Sequence, residues 1–240
     1  MGSSFRFKQF SVADDKCTMK VGTDAVLLGC WVSLASAQNI LDIGTGSGVI
    51  ALMLAQRSNA LIDGIDIDPP SIEQARQNIA SSKWGGRMNI INKSLQEYCK
   101  NHSNKYDLIV TNPPFFSNSL RSPKENRNIA RHNDKLSFDE LIFGVKKLLD
   151  QDSRFCLILP ENESEVFKDK AIINGLFPLR NLNIYPKKDR AVKRILSEYC
   201  LTRPSLEGTD RDLSVLTIRN DDNTFTEEYQ ELTKDFYLEF

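Results

Sequence analysis

One short stretch decides the fold of this 240-residue chain, and it reads Leu41-Asp42-Ile43-Gly44-Thr45-Gly46-Ser47-Gly48. Residues 39–43 are typical of a buried strand, and residues 48–57 predict a helix. Glycine at every second position between them permits a tight turn and a close approach of the backbone to a ligand. The spacing is not that of a P-loop, and the third glycine of a dinucleotide-binding loop is absent. A purely structural turn is the alternative interpretation.

The next predicted strand, residues 61–67, ends in the stretch Gly64-Ile65-Asp66-Ile67-Asp68-Pro69. Asp66 follows Asp42 by 24 residues. This is about the spacing at which a carboxylate reaches the ribose hydroxyls of an adenosine. We assign Asp66 and its neighbour Ile67 to such a site, with a solvated strand end as the alternative. Asp68 is expected to cap the helix that begins at Pro69.

The rest of the chain continues the alternation of strands and helices, which favours a mostly parallel, doubly wound α/β sheet. Further strands are predicted at 88–91, 106–110, 154–159, 182–185, 196–202 and 213–218. Of these, 182–185 and 196–202 are expected to form an antiparallel hairpin. Helices are predicted at 23–34, 69–82, 138–149 and 163–174. We expect a single domain over 1–240. It comprises an N-terminal strand and helix extension (1–38), a core (39–205) and an acidic C-terminal strand and helix (206–240).

The stretch Asn112-Pro113-Pro114-Phe115 directly follows the fourth predicted strand. Ligands bind at the carboxyl ends of strands in doubly wound sheets. An amine conjugated to a ring is a poor nucleophile because its lone pair is delocalised. The Asn112 side-chain oxygen and the Pro113 carbonyl can each accept one amino hydrogen, which favours a pyramidal nitrogen. Pro114 stiffens the turn and Phe115 offers a face for base stacking. The alternative is that the two prolines only terminate the strand.

Several stretches, taken in chain order, resemble the bacterial tRNA1(Val) adenine-37 N6-methyltransferases. They are Phe7-Lys8-Gln9-Phe10, residues 19–29, residues 42–54, residues 112–116, Ala130-Arg131-His132 and residues 232–238. The resemblance implies S-adenosylmethionine-dependent methylation of N6 of an anticodon-loop adenine, without a metal. It also implies a Rossmann-like class I methyltransferase fold: a mostly parallel seven-stranded sheet with a C-terminal antiparallel hairpin and helices on both faces.

The cofactor site implied by this resemblance contains Asp24, Asp42, Gly44, Thr45, Gly46, Gly48, Asp66, Ile67, Ser94 and Asn112. Asp24 has an alternative role, as part of a cap on the first helix together with Thr23. Many enzymes of this class carry an aspartate after the third strand that contacts the cofactor adenine. This chain has Asn92-Lys93-Ser94-Leu95 there, so Ser94 or a backbone amide is the candidate.

The near-neutral total, 31 basic and 32 acidic residues, conceals an uneven distribution of charge. From Glu207 onward there are ten acidic and three basic residues, which leaves 28 basic and 22 acidic residues in the preceding part. Lysine and arginine clusters dominate affinity for nucleic acids. The candidates for contacting RNA are Arg131, His132, Lys187, Lys188, Arg190, Lys193 and Arg194, with a solvated loop and a solvated hairpin tip as the alternatives.

Composition excludes several other classes. The five cysteines contain no Cys-x-x-Cys pair, and the two histidines are few for a metal site, so we expect reduced thiols and no metal. There is no apolar run of membrane-spanning length and no signal peptide, which favours a cytoplasmic protein. Nothing implies an obligate protein partner.

Alternative functions are a glutamine N5-methyltransferase of release factors, an rRNA guanine N2- or DNA adenine N6-methyltransferase, and a non-enzymatic binding module. The first carries a sizeable helical domain before the cofactor loop, whereas about 40 residues precede Asp42 here. A duplex-DNA enzyme needs a target-recognition region, and little chain remains for one. The Asn112-Pro113-Pro114-Phe115 stretch argues against a module without catalytic activity.

Overall fold

The computed structural model describes residues 4–35, 37–101, 104–114, 136–204 and 213–240. The strands are β1 (Ser4–Arg6), β2 (Ser11–Ala13), β3 (Asn39–Ile43), β4 (Leu61–Asp66), β5 (Met88–Asn92), β6 (Tyr106–Thr111), β7 (Leu149–Leu159), β8 (Phe177–Lys187), β9 (Arg194–Cys200) and β10 (Leu213–Arg219). The helices are α1 (Thr23–Trp31), α2 (Val49–Arg57), α3 (Pro69–Ala80), α4 (Leu95–Asn101), α5 (Phe138–Leu148), α6 (Glu161–Ile173) and α7 (Glu227–Thr233).

The central sheet has the strand order β10-β8-β9-β7-β6-β3-β4-β5. All of its strands run in one direction except β9, which is antiparallel to both β7 and β8. The mostly parallel sheet and the late antiparallel hairpin are thus confirmed. The expected count of seven strands is wrong: the described residues form a sheet of eight, because β10 pairs in parallel with the outer edge of β8.

Two apolar layers cover the two faces of the sheet, as expected for helices on both sides. One layer joins α1, α2, α3 and α7 to strand residues such as Leu108 and Val110. The other joins α4, α5 and α6 to the intervening residue Ile109 and its neighbours. Alternate residues of a strand point to opposite faces, so these apolar runs are buried on both sides.

Local signals explain most of the boundaries. Asp68 caps α3 by accepting a hydrogen bond from the Ser71 backbone N–H (3.1 Å), as expected. Gly175, with a φ of +75°, follows the end of α6, also as expected. Ser137 and Glu140 form a capping box at the start of α5.

The sheet brings the ligand-binding candidates to one edge. The carboxyl ends of β3, β4, β5 and β6 are adjacent because these strands are parallel neighbours. The ends of β8 and β10 and the start of β9 lie at this same edge. Parallel sheets bind their ligands here.

Candidate active site

The glycine loop between β3 and α2 has a conformation that explains its glycines. Gly44, Gly46 and Gly48 have φ values of +71°, +54° and +79°, a left-handed region that disfavours other residues. A Cβ atom at Gly44 would meet no described atom within 4 Å, and one at Gly46 would meet only the Gly44 carbonyl at 4.0 Å. The loop therefore presents bare backbone to open space, which is the surface that a closely approaching ligand needs.

Asp42 lies beneath this loop and is fully buried. Its Oδ2 accepts a hydrogen bond from the Thr45 hydroxyl (2.7 Å), while its Oδ1 has no partner among the described residues. Burial raises the pKa of the Asp42 carboxyl to about 7, and the Thr45 hydroxyl opposes this shift. The Asp42 side chain thus connects the glycine loop to the end of β3 through Thr45.

The raised pKa of Asp42 predicts a pH-dependent stability. The folded carboxyl binds its proton up to about pH 7, whereas the unfolded one releases it near pH 4, so stability falls as the pH rises through this window. The expected loss between pH 5 and pH 7 is about 2 kcal/mol. Asp42→Asn should remove this slope in chemical denaturation, and Asp139→Asn, at an exposed residue, should retain it. Parallel curves for wild type and Asp42→Asn would contradict the assignment.

Asp66 stands at the end of β4, beside the glycine loop. Its Oδ2 accepts a hydrogen bond from the Gly46 N–H (2.9 Å) and its Oδ1 accepts one from the Asp68 N–H (2.9 Å). Burial raises the pKa of the Asp66 carboxyl, and these two N–H donors oppose the shift. The adjacent Ile67 is 52% exposed, an apolar side chain left uncovered at the rim of the loop.

Asn112 follows the last residue of β6, next to the glycine loop in strand order. Its side-chain Oδ1 is buried and has no hydrogen-bond partner among the described residues. A buried acceptor left without a donor costs about 1–3 kcal/mol, so this atom is available to accept a hydrogen bond from a ligand N–H or O–H group. Pro113 is buried and Pro114 is exposed. Phe115, the fourth predicted catalytic residue, lies outside the described residues.

Two buried polar residues that the sequence analysis missed hold these parts together. The Thr111 hydroxyl donates to the Ile43 carbonyl (2.8 Å), which fixes the end of β6 to the end of β3. Asn78 on α3 donates to the carbonyls of Ser47 (2.9 Å) and Ala13 (2.8 Å), which links the glycine loop to β2. Thr111 therefore positions the turn that carries Asn112 relative to β3, and Asn78 holds the glycine loop against α3 and β2.

Two further candidates for the cofactor site are engaged within the protein. Asp24 does not cap α1, because the cap is Gly22 without a side-chain hydrogen bond, so the alternative of a Thr23-Asp24 cap is wrong. Asp24 instead accepts a hydrogen bond from the Arg194 Nε (2.7 Å). The Ser94 hydroxyl donates to the Glu97 carboxylate (2.9 Å) at the start of α4. Asn92 Nδ2, beside Ser94, donates to the Asp66 carbonyl (2.9 Å).

The basic candidates of the β8–β9 hairpin lie at the same edge of the sheet as Asn112. Lys187 donates to the Asp221 carbonyl (3.2 Å), and Arg194 is the partner of Asp24. Lys188, Arg190 and Lys193 are exposed, and the structure shows no ion pair or side-chain hydrogen bond for them within its described part. The hairpin tip, which also contains the exposed Asp189, thus carries a net positive charge. Arg131 and His132 fall in the part that is not described.

Three further expectations concern the cysteines, metal sites and membrane-spanning helices. All five cysteines are free and buried. In the described ranges there is no group of three or more His, Cys, Asp or Glu residues arranged to hold a metal ion. The same ranges contain no helix that is long and apolar enough to cross a membrane.

The glycine loop, the acidic end of β4 and the Asn-Pro-Pro turn after β6 together define a methyltransferase of the Rossmann-like class. Residues 18–136 match the family model described as "Methyltransferase small domain". The chain is 44% identical to the tRNA1(Val) (adenine(37)-N6)-methyltransferase of Bacteroides fragilis strain YCH46 over 98% of this chain and 97% of that protein. It is 44% identical to the enzyme of the same name from Trichodesmium erythraeum over 100% of this chain and 99% of that protein.

The chain belongs to the tRNA1(Val) (adenine(37)-N6)-methyltransferase family. Among solved structures, a predicted O-methyltransferase from Agrobacterium tumefaciens superposes with a TM-score of 0.64. That match has 16% sequence identity and covers 89% of this chain and 96% of the other, so it supports the fold.

Proposed function

We propose that this protein transfers a methyl group from S-adenosylmethionine to N6 of adenine 37 in the anticodon loop of tRNA1(Val). The observation that carries the proposal is the buried Asn112 Oδ1 without a partner in the described chain, at the carboxyl end of β6. An exocyclic amine supplies the N–H donor that this oxygen needs. The two relatives described above are named for this reaction, and each is matched over nearly its whole length.

The chemistry assigned to the protein is the activation of a weakly nucleophilic amine. Asn112 Oδ1 and the Pro113 carbonyl each accept one N6 hydrogen, which draws the nitrogen out of the plane of the ring and localises its lone pair. Methyl transfer forms the new N6–C bond while the S–C bond of the sulfonium breaks, which leaves S-adenosylhomocysteine, and N6 releases one proton to water. Pre-positioned acceptors require no reorganisation during the reaction, so positioning and electrostatics suffice without a histidine base.

The residues around the glycine loop fit the nucleoside part of the cofactor. The open space above Gly44 and Gly46 admits a ligand against the backbone. We propose that Asp66, which borders this loop through the Gly46 N–H, accepts the ribose hydroxyls. The uncovered Ile67 provides an apolar surface for the adenine. S-adenosylmethionine, when bound, supplies an electrophilic methyl group on a sulfonium. Thr45 and Asp42 support the loop, and we keep Asp24, Gly48 and Ser94 as further candidates for this site.

The RNA is proposed to approach across the β8–β9 hairpin. The exposed cations Lys188, Arg190 and Lys193 lie at the sheet edge that also holds Asn112. Phosphate contacts from such side chains account for most of the affinity for nucleic acids. We propose that Lys187 and Arg194 extend this surface, together with Arg131 and His132, and that the chain works as one domain in the cytoplasm.

Charge reversal of Lys187, Lys188 and Arg190 tests this surface. The triple glutamate variant should bind tRNA at least tenfold more weakly. Its slope of log Kd against log salt should be smaller by about one for each phosphate that the protein no longer neutralises. Cofactor affinity should stay unchanged. Lys100→Glu/Lys147→Glu, at exposed residues of α4 and α5 away from this hairpin, serves as the control. A triple variant with the wild-type salt slope would identify the segment as a solvated hairpin.

The reaction itself is tested with labelled S-adenosylmethionine and four substrates: total tRNA, 16S and 23S rRNA, a release factor and duplex DNA. We expect label in tRNA alone and N6-methyladenosine in its nucleoside digest. Label in the release factor would instead support the glutamine N5-methyltransferase alternative. Mass spectrometry of tRNA nucleosides from cells that lack the gene should show the loss of the same nucleoside.

A further inference from the structure

A groove of about 520 Å³ lies at the same sheet edge as Asn112 but belongs to different elements. β1, the start of α1, the ends of β8 and β10, and the C-terminal segment form its walls. We call it the edge groove and define it by the lining residues Phe5, Arg6, Lys193, Arg219, Phe225 and Tyr237. Its size falls within the range of about 300–1,000 Å³ that is usual for small-ligand sites.

The aromatic side chains of the edge groove leave part of their surface uncovered. Phe5 is 36% exposed, and its ring meets the partly exposed Tyr237 ring edge-on with centroids 6.1 Å apart. The Arg219 guanidinium lies over the Phe225 ring, 4.1 Å from the ring centroid. Aromatic rings and arginine planes are the surfaces on which unpaired RNA bases stack.

The edge groove is lined by more basic than acidic side chains. Arg6, Lys193 and Arg219 form no ion pair with any described residue. The one side-chain hydrogen bond among them runs from Arg219 Nη1 to the Asn223 carbonyl (2.6 Å). Glu239 is the one acidic side chain among the described lining residues. The groove thus combines stacking surfaces with excess positive charge, the combination that binds single-stranded nucleic acid.

The position of the groove fits a substrate that extends beyond the target base. Two strands, β7 and β9, separate β6 from β8. At about 4.8 Å between neighbouring strands, the end of β8 lies about 14 Å from the end of β6 that carries Asn112. An RNA loop that contacts both Asn112 and the β8–β9 hairpin would therefore reach the groove at Lys193, which lines it.

We propose that the edge groove binds one nucleotide of the RNA substrate other than the target adenine. Its base lies against the aromatic side chains and its phosphate between Arg6, Lys193 and Arg219. This inference rests on the proposed function, because it assigns a second subsite to the same tRNA.

Arg6→Glu/Arg219→Glu tests the electrostatic part and leaves the hairpin cations in place, and Lys100→Glu/Lys147→Glu is the matched control for two charge reversals. Both lysines of the control are exposed on helices outside the groove. We expect the groove variant to bind tRNA about tenfold or more weakly and with a smaller salt slope. Its single-turnover rate at saturating tRNA and its cofactor affinity should match wild type. Equal tRNA affinity in wild type, groove variant and control would overturn the subsite.

Phe5→Ala tests the stacking part, with the exposed Phe143→Ala on α5 as its control. Loss of one stacked base should weaken tRNA binding about fivefold to a hundredfold, and the control should not. Photocrosslinking from 4-thiouridine placed singly along the anticodon loop should label peptides from β1 or residues 213–240 at one position. Absence of such labelling from every loop position would refute the subsite. If the wild type does not methylate tRNA, the proposed function itself is wrong. If it methylates tRNA but no loop position labels the groove, only the subsite is wrong, so the two failures are distinguishable.

Discussion

Replacing Asn112 with alanine should slow methyl transfer by about 10²–10³-fold, the usual effect of removing one pre-positioned polar contact to a transition state. The measurement is single-turnover methylation at saturating tRNA and cofactor. Cofactor affinity should survive, because the glycine loop and Asp66 belong to β3 and β4 rather than to the turn after β6.

The size of this effect follows from the surroundings of Asn112. Its Oδ1 is shielded from water and has no competing donor among the described residues. The Thr111 hydroxyl holds the preceding residue to the Ile43 carbonyl (2.8 Å), so the turn does not need to rearrange. Such an acceptor interacts more strongly as the amine becomes pyramidal, and its loss therefore reduces kcat more than it raises KM.

Two variants make the Asn112 result specific. Asn89→Ala removes an exposed asparagine at the start of β5, at the opposite end of the strands, and should retain the wild-type rate. Asn112→Asp keeps an acceptor oxygen and should recover part of the rate lost in Asn112→Ala. If Asn112→Ala runs within a few-fold of wild type, the amine is activated by another group and the proposed mechanism is wrong.

Most of the fold could be predicted because its signals are local. The β3 bounds at 39–43 and the start of α3 at Pro69 follow from an apolar run, a proline and a capping aspartate. The early part of β7 was not predicted, since residues 150–153 are polar and the pairing with β6 shifts register there. The short α4 was missed although Leu95, Tyr98 and Cys99 repeat at helical spacing.

Only those parts of the candidate site could be predicted whose functional residues are consecutive in the sequence. The glycine loop and the Asn-Pro-Pro turn are such stretches, and the strand order brings them together. Asn78 and Thr111 act through backbone carbonyls of distant segments, and no spacing in the sequence reveals such partners. The pairing of Asp24 with Arg194, 170 positions apart, depends in the same way on the tertiary fold, which brings the starts of α1 and β9 together.

Replacing Asp66 with alanine should weaken S-adenosylmethionine binding by about 1.5–3 kcal/mol, roughly 10- to 150-fold in Kd. The carboxylate is proposed to accept both ribose hydroxyls, and hydrogen bonds to a charged acceptor are the stronger kind. Titration calorimetry with S-adenosylmethionine and S-adenosylhomocysteine measures the loss, and NAD should not bind the wild type.

Asp66 also holds the glycine loop through the Gly46 N–H (2.9 Å), so the alanine variant removes two functions at once. Asp66→Asn separates them, because its amide oxygen can still accept the Gly46 N–H while the charge is lost. Burial raises the pKa of Asp66, so wild-type affinity should decline as the pH falls, and the asparagine variant should lack that decline. Asp68→Ala, which removes the cap of α3 next to this site, controls for local loosening. If Asp66→Ala binds the cofactor as tightly as wild type, the carboxylate does not contact the ribose, and its role is confined to the loop.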